Sequence, residues 1–393
     1  MEKVEDSKIK EILERGVEDV FVKESLEKKL KSGKVLRIKL GIDPTGPNIH
    51  IGRAITLRKL RKFQDLGHKA VLIIGDFTAQ IGDASDKLSK RPMLSKKEIK
   101  NNLKNYKKQI GKIIDLRKAE FKFNSKWLSK LKFNEVAELA EVFSVQQMSS
   151  RRNFKERLDK GEEVSLREFL YPIMQGYDSV AVRADIEIGG FDQLFNLKAG
   201  RLMQKYFGQE EQDIMTFSML EGTDGRKMST SWGNVITIVD SPSEMFGKTM
   251  TLKDELITKY FLLCTDYSRE KISEIEEKIK NGENPKIFKM ELAKELVRIY
   301  HGEKEAEKAE EFFVKTFEKK EIPEEVPVVS FGEEKVSDTL IKEKIISSRS
   351  ELIRLIKEGA ITNLDKDEKI KTEEDLKTKG TYRIGKHRFI KIN

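Results

Sequence analysis

The sequence predicts an α/β protein: a doubly wound, parallel-sheet (Rossmann-like) domain first, then an α-helical domain, then a small α+β domain. Three observations predict it. Strand, turn-rich loop, helix and strand follow one another between residues 35 and 74. Helical spacing with few turn residues dominates from about residue 241 to 318. Helix-cap and hairpin signals then reappear after residue 336. The length of 393 residues fits two to four domains at roughly 100 to 200 residues each.

Up to about Gly33 the chain reads as one or two charged helices. Val35-Leu36-Arg37-Ile38-Lys39-Leu40-Gly41-Ile42 alternates apolar and other residues, the period of a strand. Asp43-Pro44-Thr45-Gly46-Pro47-Asn48 is turn-rich, and Ile51, Ile55, Leu60, Phe63 and Leu66 recur at roughly helical spacing before a second strand at Val71-Leu72-Ile73-Ile74. This βαβ unit implies a parallel sheet with a right-handed crossover, and a ligand site where the first strand ends and the helix begins. Residues 95–165 are mostly charged helical pattern with strand-like residues at Phe121-Lys122-Phe123, and read as an insertion. The core resumes at Val180-Ala181-Val182, with Ile186-Glu187-Ile188-Gly189-Gly190 as another strand. Near the end, Ser348-Arg349-Ser350-Glu351 is a capping box, Gly359 is placed to stop its helix, and Tyr382-Arg383-Ile384 with Arg388-Phe389-Ile390-Lys391-Ile392 makes a hairpin. The expected division is 1–222 for the α/β domain, 223–320 for the helical domain, 321–335 for a linker with Pro323 and Pro327, and 336–393 for the terminal unit.

Composition narrows the function classes. Apolar residues make up 38% and charged residues 36%, enough for a core under a solvated surface, which excludes a wholly disordered chain. No apolar run of membrane-spanning length appears, and the first residues lack a signal-peptide pattern, so a non-exported, cytoplasmic protein is expected. Cys264 is the only cysteine, and His50, His68, His301 and His387 are scattered, so neither a disulfide framework nor a Cys/His metal site is expected. The net charge of +9 admits two readings, a polyanionic partner or a lysine-rich solvated surface.

Two segments carry phosphate chemistry. His50-Ile51-Gly52-Arg53 opens a helix, where unpaired backbone N–H groups and the positive dipole end favour anionic oxygens. Downstream, Asp224-Gly225-Arg226-Lys227-Met228-Ser229-Thr230-Ser231 joins a turn to a cationic, hydroxyl-bearing loop, and Lys227 is a point charge suited to a leaving polyphosphate. Either segment alone also reads as a solvated polar loop. In this order, flanking one α/β core, they are far more specific.

The chain resembles the tyrosyl-tRNA synthetases, class I aminoacyl-tRNA synthetases, in their bacterial subtype with a short C-terminal RNA-binding domain. Besides the two loops, the resemblance rests on Gly41-Ile42-Asp43-Pro44-Thr45, Gly75-Asp76-Phe77-Thr78-Ala79-Gln80-Ile81-Gly82-Asp83, Phe123-Asn124-Ser125-Lys126-Trp127-Leu128, Tyr171-Pro172-Ile173-Met174-Gln175-Gly176-Tyr177-Asp178 and Gly189-Gly190-Phe191-Asp192-Gln193. It implies attachment of tyrosine to tRNA(Tyr) through a tyrosyl-adenylate, with ATP as substrate, magnesium accompanying ATP, and no metal site in the protein. By the same resemblance Asp43, Thr45, His50, Gly52 and Lys227 meet ATP, Asp192 lies on the ribose, and Lys87 and Arg91 belong to a mobile basic loop near pyrophosphate. Asp83, Tyr171, Gln175, Asp178 and Gln193 are the implied tyrosine pocket, with Asp178 accepting from the phenolic hydroxyl. Tyr171, Gln175 and Asp178, spaced by four and three, fall on one face if that segment is helical. The helical domain is implied to serve the anticodon side. In 336–393, Arg349, Arg354, Lys357, Arg383, Lys386 and Arg388 supply charge toward RNA phosphates. A homodimer through about 115–185 and no membrane association are implied as well.

Three positions depart from the family pattern. Arg53 stands where the family's H-x-G-H motif ends in histidine, Thr230 replaces the second lysine of K-M-S-K-S, and Lys39 replaces a tyrosine that contacts the substrate hydroxyl. Arg53 and Thr230 leave a second reading open, an RNA-binding protein on a synthetase core that no longer catalyses. A tryptophan-specific sibling is the nearest alternative within the class, and Asp178 argues against it.

Overall fold

The computed structural model describes residues 5–83, 93–318, 326–332, 334–343, 345–346, 348–385 and 388–393. Its contacts divide into two units, one of residues 1–239 with 258–273 and one of 240–257 with 274–393. The division after residue 239 keeps the whole Lys227 loop with the α/β domain, rather than with the helical domain as the expected boundary at 222 had it.

In the first unit β1 (Val17–Phe21), β2 (Arg37–Ile42), β3 (Lys69–Ile74), β4 (Ala119–Phe123), β5 (Ile186–Gly190) and β6 (Asp213–Phe217) form a sheet in the order β1-β6-β5-β2-β3-β4. β2 through β6 run parallel, and β1 pairs antiparallel with β6. β3 is buried from Ala70 to Ile74, a continuous apolar run of the kind a strand needs when both faces are covered. The chain moves outward from β2 through β3 to β4 on one side and from β5 to β6 on the other. The strand order therefore switches between β2 and β5, and a ligand crevice is expected beyond their carboxyl ends.

Three elements of the first unit differ from the sequence reading, and in the second the expected linker 321–335 contains a strand, Val328–Val329, that pairs in parallel with Arg388–Ile392. Val17–Phe21, read as part of a charged helix, is β1; Glu18 and Asp19 are exposed, and charge is tolerated on an edge strand. Val180-Ala181-Val182, read as a strand, is the last turn of the helix Leu166–Val182, whose start is fixed by a reciprocal capping box between Ser165 and Glu168. Its valines suggested a strand, but their burial on the helix serves the core equally well. β4 lies inside the segment read as an insertion and is the outer strand of the main sheet, so the 95–165 segment is not a single excursion.

In the second unit the helices Pro242–Met250, Pro285–His301 and Glu303–Phe313 precede a small α+β portion. There a sheet in the order β7-β11-β10-β8-β9 (Val328–Val329, Arg388–Ile392, Gly380–Ile384, Ile361–Asn363, Glu368–Lys369) carries the helices Val336–Lys342 and Arg349–Lys357. Leu340, Leu352, Ile361, Tyr382 and Ile390 form its core. Ser348 caps the second helix by accepting from the Glu351 N–H at 3.2 Å, and Gly359, at a φ of +61°, follows its end.

Candidate functional site

A cavity of about 500 Å³ opens at the switch between β2 and β5. Asp43, Thr45, His50, Gly52, Arg53, Asp83, Tyr171, Gln175, Asp178, Asp192, Gln193 and Lys227, all singled out in the sequence, line it together. Lys87 and Arg91 lie outside the described residues.

One group of these residues comes from helix faces and strand ends. Tyr171, Gln175 and Asp178 project from one side of the Leu166–Val182 helix, as their spacing requires. Asp178 is 4% exposed, and burial lifts its carboxyl to about 7 despite the nearby Lys39 charge and hydrogen bonds from Trp127 and Asn124, which favour the ionised form. Trp127 Nε1 donates to one oxygen at 2.7 Å and Asn124 Nδ2 to the other at 3.2 Å. Asn124 is itself locked: it accepts from the Phe77 N–H at 3.0 Å and donates to Thr78 Oγ1 at 3.0 Å. Thr78 Oγ1 donates to Asp43 Oδ1 at 2.8 Å, and the Tyr171 hydroxyl donates to Asp43 Oδ2 at 2.9 Å. This packing explains Gly75, because a Cβ there would stand 1.9 Å from Asp43 Oδ1 and 2.3 Å from Thr78 Oγ1. Beside it, Gln193 Nε2 donates to Asp83 Oδ2 at 2.7 Å, and Asn196 Nδ2 donates to Gln193 Oε1 at 3.0 Å.

The other group gathers donors and cations. His50 caps the helix Ile51–Asp65, its Nδ1 accepting from the Arg53 N–H at 3.3 Å. Burial first, and then the Arg53 charge, press its pKa down to about 3, so the ring is neutral at pH 7 with its proton on Nε2. Arg53 is held by its own contacts, Nη2 donating to Thr45 Oγ1 at 2.7 Å and Nη1 to the Tyr106 hydroxyl at 3.3 Å. The stretch that follows the Lys227 loop pairs through its backbone with the helix start: Ile51 N donates to Ile236 O at 2.9 Å and Ile238 N to Ile49 O at 3.0 Å. A Cβ on Gly52 would meet Met228 Sδ at 3.2 Å and His50 Nδ1 at 3.1 Å, so glycine lets the Lys227 loop close on the helix start. Asn234, 3% exposed, shapes that loop by accepting from the Ser229 N–H at 2.8 Å and donating to Lys227 O at 3.1 Å and Asp224 Oδ1 at 2.8 Å. Lys227 Nζ lies 3.4 Å from Asp192 Oδ2.

Asn124, Trp127, Thr78, Tyr106, Asn196 and Asn234 carry no signal in the sequence for the parts they play here. Asn124 and Trp127 lie within Phe123-Asn124-Ser125-Lys126-Trp127-Leu128, but nothing local to the chain signals that they face Asp178 from another strand end. In the second unit Arg349 pairs with Asp338, Arg354 with Glu358 and Arg388 with Glu351, while Lys357 and Arg383 are exposed. Lys386 lies outside the described residues.

A helix start and a cationic loop converging over the carboxyl ends of parallel strands place the molecule among the α/β proteins that take a nucleotide at a sheet's switch point. Within that class the chain belongs to the class I tRNA synthetases (W and Y), whose family model matches residues 31–318. It is 47% identical to a tyrosine–tRNA ligase of Thermotoga maritima, over 97% of this chain and 96% of that protein. A tyrosine–tRNA ligase of Carboxydothermus hydrogenoformans is 45% identical, with 97% of each chain covered. Among solved structures, a C-terminally truncated mitochondrial tyrosyl-tRNA synthetase of Coccidioides posadasii matches with a TM-score of 0.64 at 25% identity, covering 78% of this chain and 92% of that one. The structure of an Archaeoglobus fulgidus tyrosyl-tRNA synthetase complexed with L-tyrosine shares the fold, with a TM-score of 0.61 at 22% identity over 77% of this chain and 99% of that one.

Proposed function

We propose that this cleft activates L-tyrosine with ATP and that the protein transfers the tyrosyl group to tRNA(Tyr). The observation that carries the reading is the buried Asp178 carboxylate, with a donor on each oxygen, lining the same cavity as His50, Arg53 and Lys227. Relatives named tyrosine–tRNA ligase at 45% and 47% identity support it.

In this mechanism a carboxylate oxygen of tyrosine attacks the α-phosphorus of ATP, the bond to the bridging oxygen breaks, and pyrophosphate leaves. A terminal ribose hydroxyl of the tRNA then attacks the carbonyl carbon of the adenylate, loses its proton, and AMP departs. Neither step needs an enzyme nucleophile, so the protein acts by positioning and by stabilising charge. Asp178 accepts from the phenolic hydroxyl. Tyr171, Gln175, Asp83 and Gln193 surround the ammonium, and Asp43, assigned to ATP, also fixes the Tyr171 hydroxyl. Thr45, neutral His50 and the backbone at Gly52 meet the phosphates, Asp192 the ribose. Lys227, with Arg53 behind Thr45, takes the charge that grows on pyrophosphate, and Lys87 and Arg91 add to it. Magnesium enters with ATP as part of that substrate.

The same proposal assigns Arg349, Arg354, Lys357, Arg383, Lys386 and Arg388 to tRNA phosphates, the helices before them to the anticodon side, residues 115–185 to a homodimer contact, and the protein to the cytoplasm. Among the described residues, no helix is long and apolar enough to cross a membrane. The test is charging of a tRNA(Tyr) transcript with labelled tyrosine by the full chain. Charging with tyrosine is expected; RNA binding without charging supports instead the non-catalytic reading left open by Arg53 and Thr230.

A further inference from the structure

Lys39 of β2 and Glu187 of β5 are register partners across the pair of strands where the sheet order switches. Their side chains are 0% and 1% exposed, and Lys39 Nζ lies 2.8 Å from Glu187 Oε1. The ammonium also donates to Ser179 Oγ at 2.7 Å and to the Gln175 backbone carbonyl at 2.9 Å, which accounts for its three protons. Glu187 accepts in turn from Ser179 Oγ at 3.0 Å, from Gln212 Nε2, and from Gln175 Nε2 at 3.1 Å.

Stability does not explain this arrangement. The neighbours Ile38, Leu40, Ile186 and Ile188 are buried and apolar, and an apolar pair in place of a buried ion pair is often as stable or more so. Its effect on Gln175 does explain it. A carboxylate only accepts, so the Gln175 carboxamide must present its NH2 to Glu187, which leaves the amide carbonyl for the cavity that Gln175 lines. Without that constraint the amide is free to flip and offer a donor instead.

We propose that Lys39 and Glu187 are a positioning pair: Lys39 holds Glu187, Glu187 fixes the Gln175 amide with its oxygen toward the ligand, and the cavity is thereby set to take a ligand ammonium rather than an acceptor. The inference rests on the tyrosine reading of the same cavity and deepens it. It also gives the departure at Lys39 a role, since its side chain is buried against Glu187 and is not part of the cavity's lining.

The experiment compares the full chain with Lys39→Met/Glu187→Leu, which removes both charges together and leaves neither unpaired. Equilibrium dialysis measures affinity for tyramine and for 4-ethylphenol, which share the phenol and differ in the ammonium; exchange kinetics give KM for tyrosine and ATP. The double variant is expected to lose about tenfold of the preference for tyramine and to raise the tyrosine KM by a similar factor, with the ATP KM within about twofold. An unchanged tyramine preference in the folded variant overturns the proposal. If that variant does not fold, Glu187→Gln serves: its amide can face Gln175 either way, so about a threefold loss of the same preference is expected, and full retention overturns the proposal. A parent chain that shows no tyrosine-dependent exchange and no preference for tyramine overturns the underlying amino-acid reading together with this one.

Discussion

Asp178 and Lys227 line one cavity and are held in different ways. Asp178 is buried on a long helix with a donor on each oxygen, and one of those donors, Asn124, is itself fixed by hydrogen bonds that run through Thr78 to Asp43. Lys227 stands on a loop, its side chain 37% exposed, 3.4 Å from Asp192. The difference matches what each has to recognise under the proposed function. A neutral hydroxyl is told from a missing one only by a group whose remaining bonds are already set, because a buried partner left unpaired is costly. Charge that grows on a departing polyphosphate is best met by a cation, and a loop can bring one to it.

The contrast can be broken from either side. Lys227→Ala has the largest expected effect, a fall of about 10²–10³-fold in the single-turnover rate of adenylate formation with tyrosine affinity unchanged. An unaltered rate removes Lys227 from the chemistry. Asp178→Ala is expected to lower discrimination of tyrosine from phenylalanine by about 10- to 100-fold in kcat/KM while sparing ATP, whereas retained selectivity means that another group reads the hydroxyl. Trp127→Phe removes a donor to ionised Asp178, whose carboxyl burial already lifts to about 7. Losing that donor raises it further, so the pH profile of kcat/KM for tyrosine, which rises as the carboxylate ionises, should move to higher pH. A stationary profile shows that Asp178 does not control it. His50, pressed to about 3, should add no inflection near pH 6.5. The smallest effect is expected for Thr230→Lys, a gain of about two- to fivefold in exchange rate, read against Lys227 alone.

The two sides were also unequally legible in the sequence. The phosphate side announces itself locally: His50-Ile51-Gly52-Arg53 opens a helix, and Lys227 lies in a short cationic loop, so chemistry and motif coincide. The Tyr171, Gln175 and Asp178 spacing was readable for the same reason, because helical period fixes a face. What the sequence does not display is who stands opposite. Trp127 and Asn124 follow β4, which read as part of an insertion, and their contact with Asp178 depends on β4 pairing beside β3. Lys39 looked only like a missing tyrosine, and its link to Glu187 depends on the register between β2 and β5. In the fold, β2, β3 and β5 were visible as apolar strands, while β1 was hidden by Glu18 and Asp19, whose charges are compatible with a helix as well as with a sheet edge.

The proposed function requires one cavity to hold both a tyrosine site and a phosphate site. Exchange of labelled pyrophosphate into ATP, without tRNA, with tyrosine, phenylalanine and tryptophan in parallel, tests it most directly. Exchange is expected with tyrosine, and at least about tenfold less with the other two, since neither presents a phenolic hydroxyl to Asp178. Equal exchange with phenylalanine, or none with tyrosine, contradicts it.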